Sequence, residues 1–175
     1  MSQTRWGILI SGRGSNLQSL LDWDDRVQIA CVLSNKKSAL GLNKARRAGV
    51  PQIGILNSPI GWSNLTETFR KHSVEKIFLL GFMKIIPENF IKVWENNIFN
   101  VHPSLLPLHP GLSGLEDGWK EQSPLGVTVH HVTPEMDAGS PVTQGNYSRT
   151  SSDFKKIIRR NAWMERRLIS EVVCR

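Results

Sequence analysis

The sequence predicts an α/β fold: an open, mostly parallel, twisted sheet with helices on both faces and an antiparallel strand near the C-terminal end. Up to residue 102, short and almost continuously apolar segments alternate with segments of helical spacing. This alternation is typical of a parallel sheet covered on both sides. After Pro103 it stops, and a loop rich in proline and glycine precedes two strands. The length of 175 residues predicts a single domain over 1–175 whose core needs no disulfides.

Apolar segments predict five parallel strands, over residues 6–10, 27–33, 52–56, 76–80 and 98–102. Helices are predicted between them, the first following a glycine-containing turn. The second, over 41–48, ends at Gly49, a residue suited to a helix C-terminus. The others are predicted over 62–72 and over 87–94, where a proline opens the first turn.

The last third of the chain is predicted to contain a short helix over 115–121, strands over 126–132 and 141–147, and a basic helix after Asp153. The net charge of +7 favours anionic ligands. A solvated helix face explains the basic cluster better than nucleic-acid contact does, because its spacing covers much of one helix surface and no RNA-binding motif accompanies it. The cluster comprises Lys155, Lys156, Arg159, Arg160, Arg166 and Arg167.

Cysteine usage and hydropathy predict a cytoplasmic protein. The two cysteines form no disulfide framework and have no metal-type spacing, as expected in a reducing compartment. The apolar run at 6–10 is too short for a signal peptide, and the longest run, at 77–83, is too short to cross a membrane.

The turn after the first strand, Ser11-Gly12-Arg13-Gly14-Ser15-Asn16, is a candidate anion site. Gly12 and Gly14 allow a sharp turn that approaches a ligand closely. Ser15 or Asn16 is predicted to cap the helix, whose free N–H groups suit a phosphate. The turn lacks the Gly-Lys-Ser/Thr ending of a P-loop, and Leu17 replaces the third glycine of a dinucleotide fingerprint. A tight turn that binds nothing is the alternative.

Asn100 and His102 stand two residues apart at the end of the fifth strand. Residues at this spacing project to the same face, so an amide donor and a proton-transfer group can converge on one reacting group. The alternative is a core histidine satisfied by a backbone carbonyl.

Asp137 lies in a turn-rich loop between the last two strands, from which its carboxylate can swing toward His102. Such a pairing would favour the imidazolium and raise the pKa of the histidine. The alternative is an aspartate that only stabilises a turn. His130 and His131 are adjacent and would point to opposite faces of a strand, so no metal site is expected.

Taken together, these segments resemble the folate-dependent formyltransferases. The matching residues are 10–18, 81–86, 100–107 and 136–139, in the order of that family. The Asn, His and Asp trio is shared by all folate formyltransferases. The Ser-Gly-x-Gly-Ser-Asn loop is that of the branch acting on phosphoribosylglycinamide.

The resemblance implies a Rossmann-like formyltransferase fold and a reaction that moves the formyl group of 10-formyltetrahydrofolate onto the amine of phosphoribosylglycinamide, in purine biosynthesis. Direct attack would form a tetrahedral oxyanion. We also expect no metal, no membrane or nucleic-acid partner, and a monomer or a homodimer. The implied catalytic residues are Asn100, His102 and Asp137. Those implied for the substrate phosphate are Gly12, Gly14, Ser15 and Asn16, and those for the folate are Met83, Lys84, Ile85, Ile86 and Asn100.

The chain departs from the family pattern in three places. Asn64 stands where an arginine is usual in the family. Residues 113–118 contain neither histidine nor arginine, whereas the family commonly has both in this segment. Near the shortened C-terminus, Asn161 or Glu165 is the position that aligns best with a glutamate that contacts the substrate ribose in the family. Other acceptors therefore stay open: an amino-sugar nucleotide, methionyl-tRNA, or water in a hydrolase. A basic nucleic-acid-binding α/β module is the non-enzymatic alternative.

Overall fold

The computed structural model describes residues 3–23, 26–55 and 59–174. The chain forms two compact units, Met1–Phe99 and Asn100–Arg175. The single domain expected over 1–175 stays a prediction.

The first unit contains a parallel sheet built around its first strand. The strands are β1 (Arg5–Ile10), β2 (Gln28–Ser34), β3 (Gln52–Ile55) and β4 (Lys76–Leu79). Strand β1 pairs in parallel with β2 and with β4, and β2 pairs in parallel with β3. Parallel partners require crossover connections, and these contain α1 (Ser15–Leu21), α2 (Leu40–Arg47) and α3 (Pro59–Lys71). Helix α4 (Glu88–Val93) follows β4.

The second unit begins within β5 (Ile98–His102). It continues with α5 (Gly114–Lys120), β6 (Leu125–His131), β7 (Pro141–Tyr147) and α6 (Phe154–Val173). Strands β6 and β7 are antiparallel, and the strand order of the sheet is β3-β2-β1-β4-β5-β6-β7. The predicted α/β fold with a mostly parallel sheet and an antiparallel C-terminal strand is therefore confirmed.

Helix ends differ from the predictions by a few residues. Helix α3 begins at Pro59 rather than at residue 62. Pro87 is the residue before α4 rather than its first residue, because its ψ of 141° is extended. Gly49 follows the end of α2 with a φ of 72°, as a glycine at a helix C-terminus is expected to do. Leu56, predicted to end the third strand, lies outside the described residues.

The basic cluster near the C-terminus lies on the exposed face of α6, as predicted. The opposite face carries Ile157, Met164, Leu168 and Ile169, which are buried. Gly145 of β7 allows the helix to approach the sheet, since a Cβ at that position would lie 2.5 Å from the sulfur of Met164. The amphipathic helix thus covers the antiparallel strands of the second unit.

Candidate active site

The turn between β1 and α1 has the sharp geometry that its glycines predict. Gly14 is the N-cap residue of α1, with a left-handed φ of 65°. No side chain caps this helix, so the prediction that Ser15 or Asn16 is the cap is wrong. Both residues lie inside the first turn of α1 instead, after the N-cap residue Gly14.

Helix α2 holds this turn from one side. The N–H of Gly41 donates to the Gly12 carbonyl at 3.1 Å, and the Lys44 ammonium donates to the Gly14 carbonyl, also at 3.1 Å. A Cβ on Gly14 would lie 2.7 Å from the Cα of Gly41, so the two backbones touch. Because donors on α2 occupy these two carbonyls, the partial negative charges that would oppose an anion at the turn are reduced, and Lys44 adds a positive charge.

Ser11 links the turn to the segment after β4. Its hydroxyl donates to Asn35 Oδ1 at 2.6 Å and accepts the N–H of Met83 at 2.7 Å. The N–H of Met83 is therefore already bonded within the chain. The side chains of Met83 and Ile85 are 61% and 79% exposed, whereas Ile86 is buried. Lys84 between them is exposed.

His102 has a partner for each ring nitrogen. Nε2 lies 2.9 Å from the carbonyl oxygen of His109, and Nδ1 lies 3.3 Å from Asp137 Oδ2. A carbonyl oxygen only accepts, so Nε2 carries a proton. His102 is thus a buried histidine that is held by a backbone carbonyl and also faces a carboxylate.

Asp137 lies where its loop was expected to place it, beside His102. Its Oδ2 also accepts the N–H of Gly111 at 2.8 Å, and its side chain is 10% exposed. The residue has a left-handed φ of 54°. The carboxylate is therefore held by a second loop, the one that leaves β5, and by an unusual backbone conformation.

His130 is a member of this cluster that sequence reasoning missed. Its Nε2 lies 3.2 Å from Asn100 Nδ2 and 3.6 Å from Asp137 Oδ1. Burial lowers the pKa of His130 below its ordinary value of 6.5. The signal was available: His130 is the penultimate residue of β6, just before the Asp137 loop.

Gly114, the first residue of α5, leaves the space in which His102 meets His109. A Cβ at this position would lie 2.8 Å from His102 Nε2 and 2.8 Å from the His109 carbonyl oxygen. The segment that departs from the family pattern therefore contributes a glycine to the packing of the central histidine.

Asn161 and Glu165, the candidates for ribose contact, bond to each other on α6. The Asn161 amide donates to Glu165 Oε1 at 2.8 Å and accepts from the Tyr147 hydroxyl at 2.9 Å. Asn161 is buried. This arrangement gives Asn161 a structural role in joining α6 to β7. Asn64, the other position that departs from the family, is exposed on α3.

Within the described residues, no group of three or more His, Cys, Asp or Glu side chains is arranged to hold a metal ion. Of the described helices, none has the length and apolar character needed to cross a membrane.

The chain belongs to the formyl transferase family, whose pattern it matches over residues 4–173. It is 39% identical over 152 residues to the phosphoribosylglycinamide formyltransferase of Haemophilus influenzae, covering 78% of this chain and 69% of the relative. It is 38% identical over 155 residues to the trifunctional purine biosynthetic protein adenosine-3 of Drosophila melanogaster, covering 80% of this chain and 11% of the relative. The chain thus spans about a tenth of that trifunctional relative.

The fold agrees with these relationships. The crystal structure of phosphoribosylglycinamide formyltransferase from Anaplasma phagocytophilum superposes with a TM-score of 0.90 at 35% identity, covering 99% of this chain and 86% of that one. The corresponding enzyme from Streptococcus pneumoniae gives a TM-score of 0.89 at 29% identity, covering 98% and 97% of the two chains.

Proposed function

We propose that this protein transfers the formyl group of 10-formyltetrahydrofolate to the amine of phosphoribosylglycinamide, in purine biosynthesis. The observation that carries the proposal is the cluster of His102, Asp137, Asn100 and His130, with both histidines buried, in a chain of the formyl transferase family. The names of the relatives support the choice of acceptor.

The turn at Gly12, Gly14, Ser15 and Asn16 is the proposed phosphate site. Two features support this site. Gly14 has a left-handed φ, and α2 donates hydrogen bonds to the carbonyls of Gly12 and Gly14, the second of them from the Lys44 ammonium at 3.1 Å. The folate is proposed to contact residues 83–86 and Asn100. The exposed apolar side chains of Met83 and Ile85 suit its aromatic ring.

In the proposed reaction, the acceptor nitrogen forms a bond to the formyl carbon, and the bond from that carbon to the folate nitrogen breaks. One proton moves from the acceptor nitrogen to the departing nitrogen, so atoms and charge balance. The folate supplies the formyl group in activated form. The Asn100 amide donates a hydrogen bond to the oxyanion of the tetrahedral intermediate; removing one such donor from an enzyme costs about 3 kcal/mol of barrier.

His102 is the proposed second donor and the proton-transfer group. Its Nε2–H is bonded to the His109 carbonyl in this structure, so the hydrogen has to exchange that carbonyl for the formyl oxygen. The carboxylate of Asp137 stabilises the charge of a doubly protonated ring. Asp137 and the His109 carbonyl contact the two nitrogens of the ring and hold its orientation.

An acceptor-dependence assay tests the proposal. Purified protein should release tetrahydrofolate, or a 5,8-dideaza analogue, from the formyl donor only when phosphoribosylglycinamide is present. Equal release without an acceptor would identify a hydrolase, and release only with methionyl-tRNA or an amino-sugar nucleotide would reassign the acceptor. No release with any of these would refute the enzymatic proposal.

A pair of histidine variants controls for general damage to the protein. His102→Ala should lose most activity while it still folds, because it removes the ring that faces Asp137. His72→Ala should keep wild-type activity, since the described contacts of His72 are made by its backbone, which accepts from Arg5.

A further inference from the structure

We infer that His130 is a positioning residue for Asn100: a neutral imidazole with its proton on Nδ1, whose Nε2 accepts a hydrogen bond from the Asn100 amide and fixes the orientation of that amide. The inference rests on the proposed role of Asn100 in formyl transfer. It concerns a buried histidine outside the Asn, His and Asp trio.

The backbone determines which nitrogen of His130 carries the proton. Nδ1 lies 2.9 Å from the carbonyl oxygen of His131. Since a carbonyl oxygen cannot donate, the hydrogen of this bond belongs to Nδ1. In a neutral ring, Nε2 then has only a lone pair and acts as an acceptor.

The neighbour of Nε2 is a suitable donor. Asn100 Nδ2 lies 3.2 Å away, within range for an N–H donor. With this assignment the NH₂ end of the amide faces His130. A charged His130 would carry a hydrogen on Nε2 and would require the amide to turn its oxygen toward the ring, so the protonation state of His130 selects the amide orientation.

The surroundings of His130 favour the neutral ring. The side chain is 3% exposed, and burial is the largest influence on its pKa, which it lowers. His102 and His131 lower the pKa further, whereas Asp137 and the backbone hydrogen bond to His131 raise it. The net effect of these influences is a lowered pKa of His130, so the ring is neutral at about pH 7.

The His131 carbonyl that fixes the proton is itself packed against the loop between β6 and β7, which carries Asp137. A Cβ at Gly139 would overlap the His131 carbonyl oxygen, so the loop backbone packs directly against this group. The N–H of His131 also donates to the Ser140 carbonyl at 3.0 Å. The segment that places Asp137 therefore also holds the acceptor that sets the state of His130.

For the proposed chemistry, this arrangement commits one hydrogen of the Asn100 amide to His130 and directs the other away from it. An amide NH₂ group has two hydrogens about 120° apart, so fixing one fixes the other. The oxyanion donor is thereby oriented before the substrates bind, which is the condition for electrostatic stabilisation without reorganisation.

NMR of the free protein tests the inference without any assay of activity. In selectively ¹⁵N-labelled protein above pH 7, His130 should show a protonated Nδ1 and an unprotonated Nε2. The side-chain NH₂ signals of Asn100 should move in His130→Leu and return toward their wild-type positions in His130→Gln, which keeps an acceptor. A protonated Nε2, or Asn100 signals that are the same in all three proteins, would overturn the inference.

Kinetics provide the second measurement. His130→Leu should lower kcat roughly 10- to 100-fold with little change in the KM for phosphoribosylglycinamide, as expected when an outer hydrogen bond that orients a functional group is lost. His130→Gln should recover a large part of kcat. An unchanged kcat in His130→Leu would overturn the positioning role.

The two measurements separate the inference from the function on which it rests. If the wild-type protein transfers no formyl group, the proposed function fails, and the protonated nitrogen seen by NMR still tests the hydrogen bond. If His130→Leu does not fold, wild type and His130→Gln decide: a Gln variant with disturbed Asn100 signals and low kcat would count against the inference.

Discussion

The change of Asp137 to asparagine tests the charge of the carboxylate beside His102 with the smallest change of shape. The asparagine oxygen can replace Oδ2 as acceptor of the Gly111 N–H, which is now bonded at 2.8 Å. Its NH₂ group would then take the place of Oδ1, 3.6 Å from His130 Nε2. Asparagine also tolerates the left-handed φ of 54° at this position. Asp137→Asn should therefore fold with a free energy of unfolding within about 1 kcal/mol of wild type.

The effect on the reaction should be large. Asp137 Oδ2 lies 3.3 Å from His102 Nδ1, and Coulomb's law at an effective dielectric constant of about 20 gives about 5 kcal/mol for unit charges at that separation. This value is an upper limit for the stabilisation of a charged His102 ring. At about 1.4 kcal/mol per tenfold change in rate, we expect kcat/KM to fall by roughly 10² to 10⁴.

Steady-state release of tetrahydrofolate measures this loss, and urea unfolding measures stability. The matched control is Asp153→Asn, because Asp153 also accepts a backbone N–H, from Lys155 at 2.9 Å, but caps α6. It should keep wild-type kcat/KM. A loss of less than about tenfold in a folded Asp137→Asn protein would refute the electrostatic role of the carboxylate.

Three further outcomes are expected. Gly114→Ala should destabilise the protein by about 1–3 kcal/mol in urea unfolding and lower kcat, since its Cβ would lie 2.8 Å from His102 Nε2; unchanged values would contradict the packing. Lys44→Met should raise the KM for phosphoribosylglycinamide, whereas the dephosphorylated ribonucleoside should react with an unchanged KM and Lys44→Arg should behave like wild type. Because burial lowers the pKa of His130 below 6.5, its contribution to stability is present above that pH and lost as the pH falls toward the lowered value. The slope of up to about 1.4 kcal/mol per pH unit should be smaller in His130→Gln than in wild type.

The sheet could be predicted because its strands are buried and therefore almost continuously apolar. The segment at 98–102 was predicted with the bounds that β5 has. Helix ends were harder to predict, since a proline such as Pro59 is compatible both with a loop and with the first turn of a helix. The prediction of the α1 cap was wrong because Gly14, which has no side chain, occupies the N-cap position.

The candidate site shows where local patterns stop being sufficient. The spacing of Asn100 and His102 follows from the period of a strand, so a shared location could be inferred. The meeting of Asn100 with His130, 30 positions later, depends on the order of β5 and β6 in the sheet, which no local pattern gives. The bond from His102 to the His109 carbonyl depends likewise on the left-handed φ of 51° at His109.

The left-handed backbone at Asp137 has a consequence for how the sequence at this position can vary. Glycine adopts this conformation without strain, and asparagine and aspartate adopt it more readily than other residues with side chains do. A library randomised at position 137 and selected only for thermal stability should therefore accept asparagine, whose oxygen can keep the Gly111 N–H bond, as readily as aspartate. The same library selected for formyl transfer should retain only aspartate, so the two selections would yield different residues at this position.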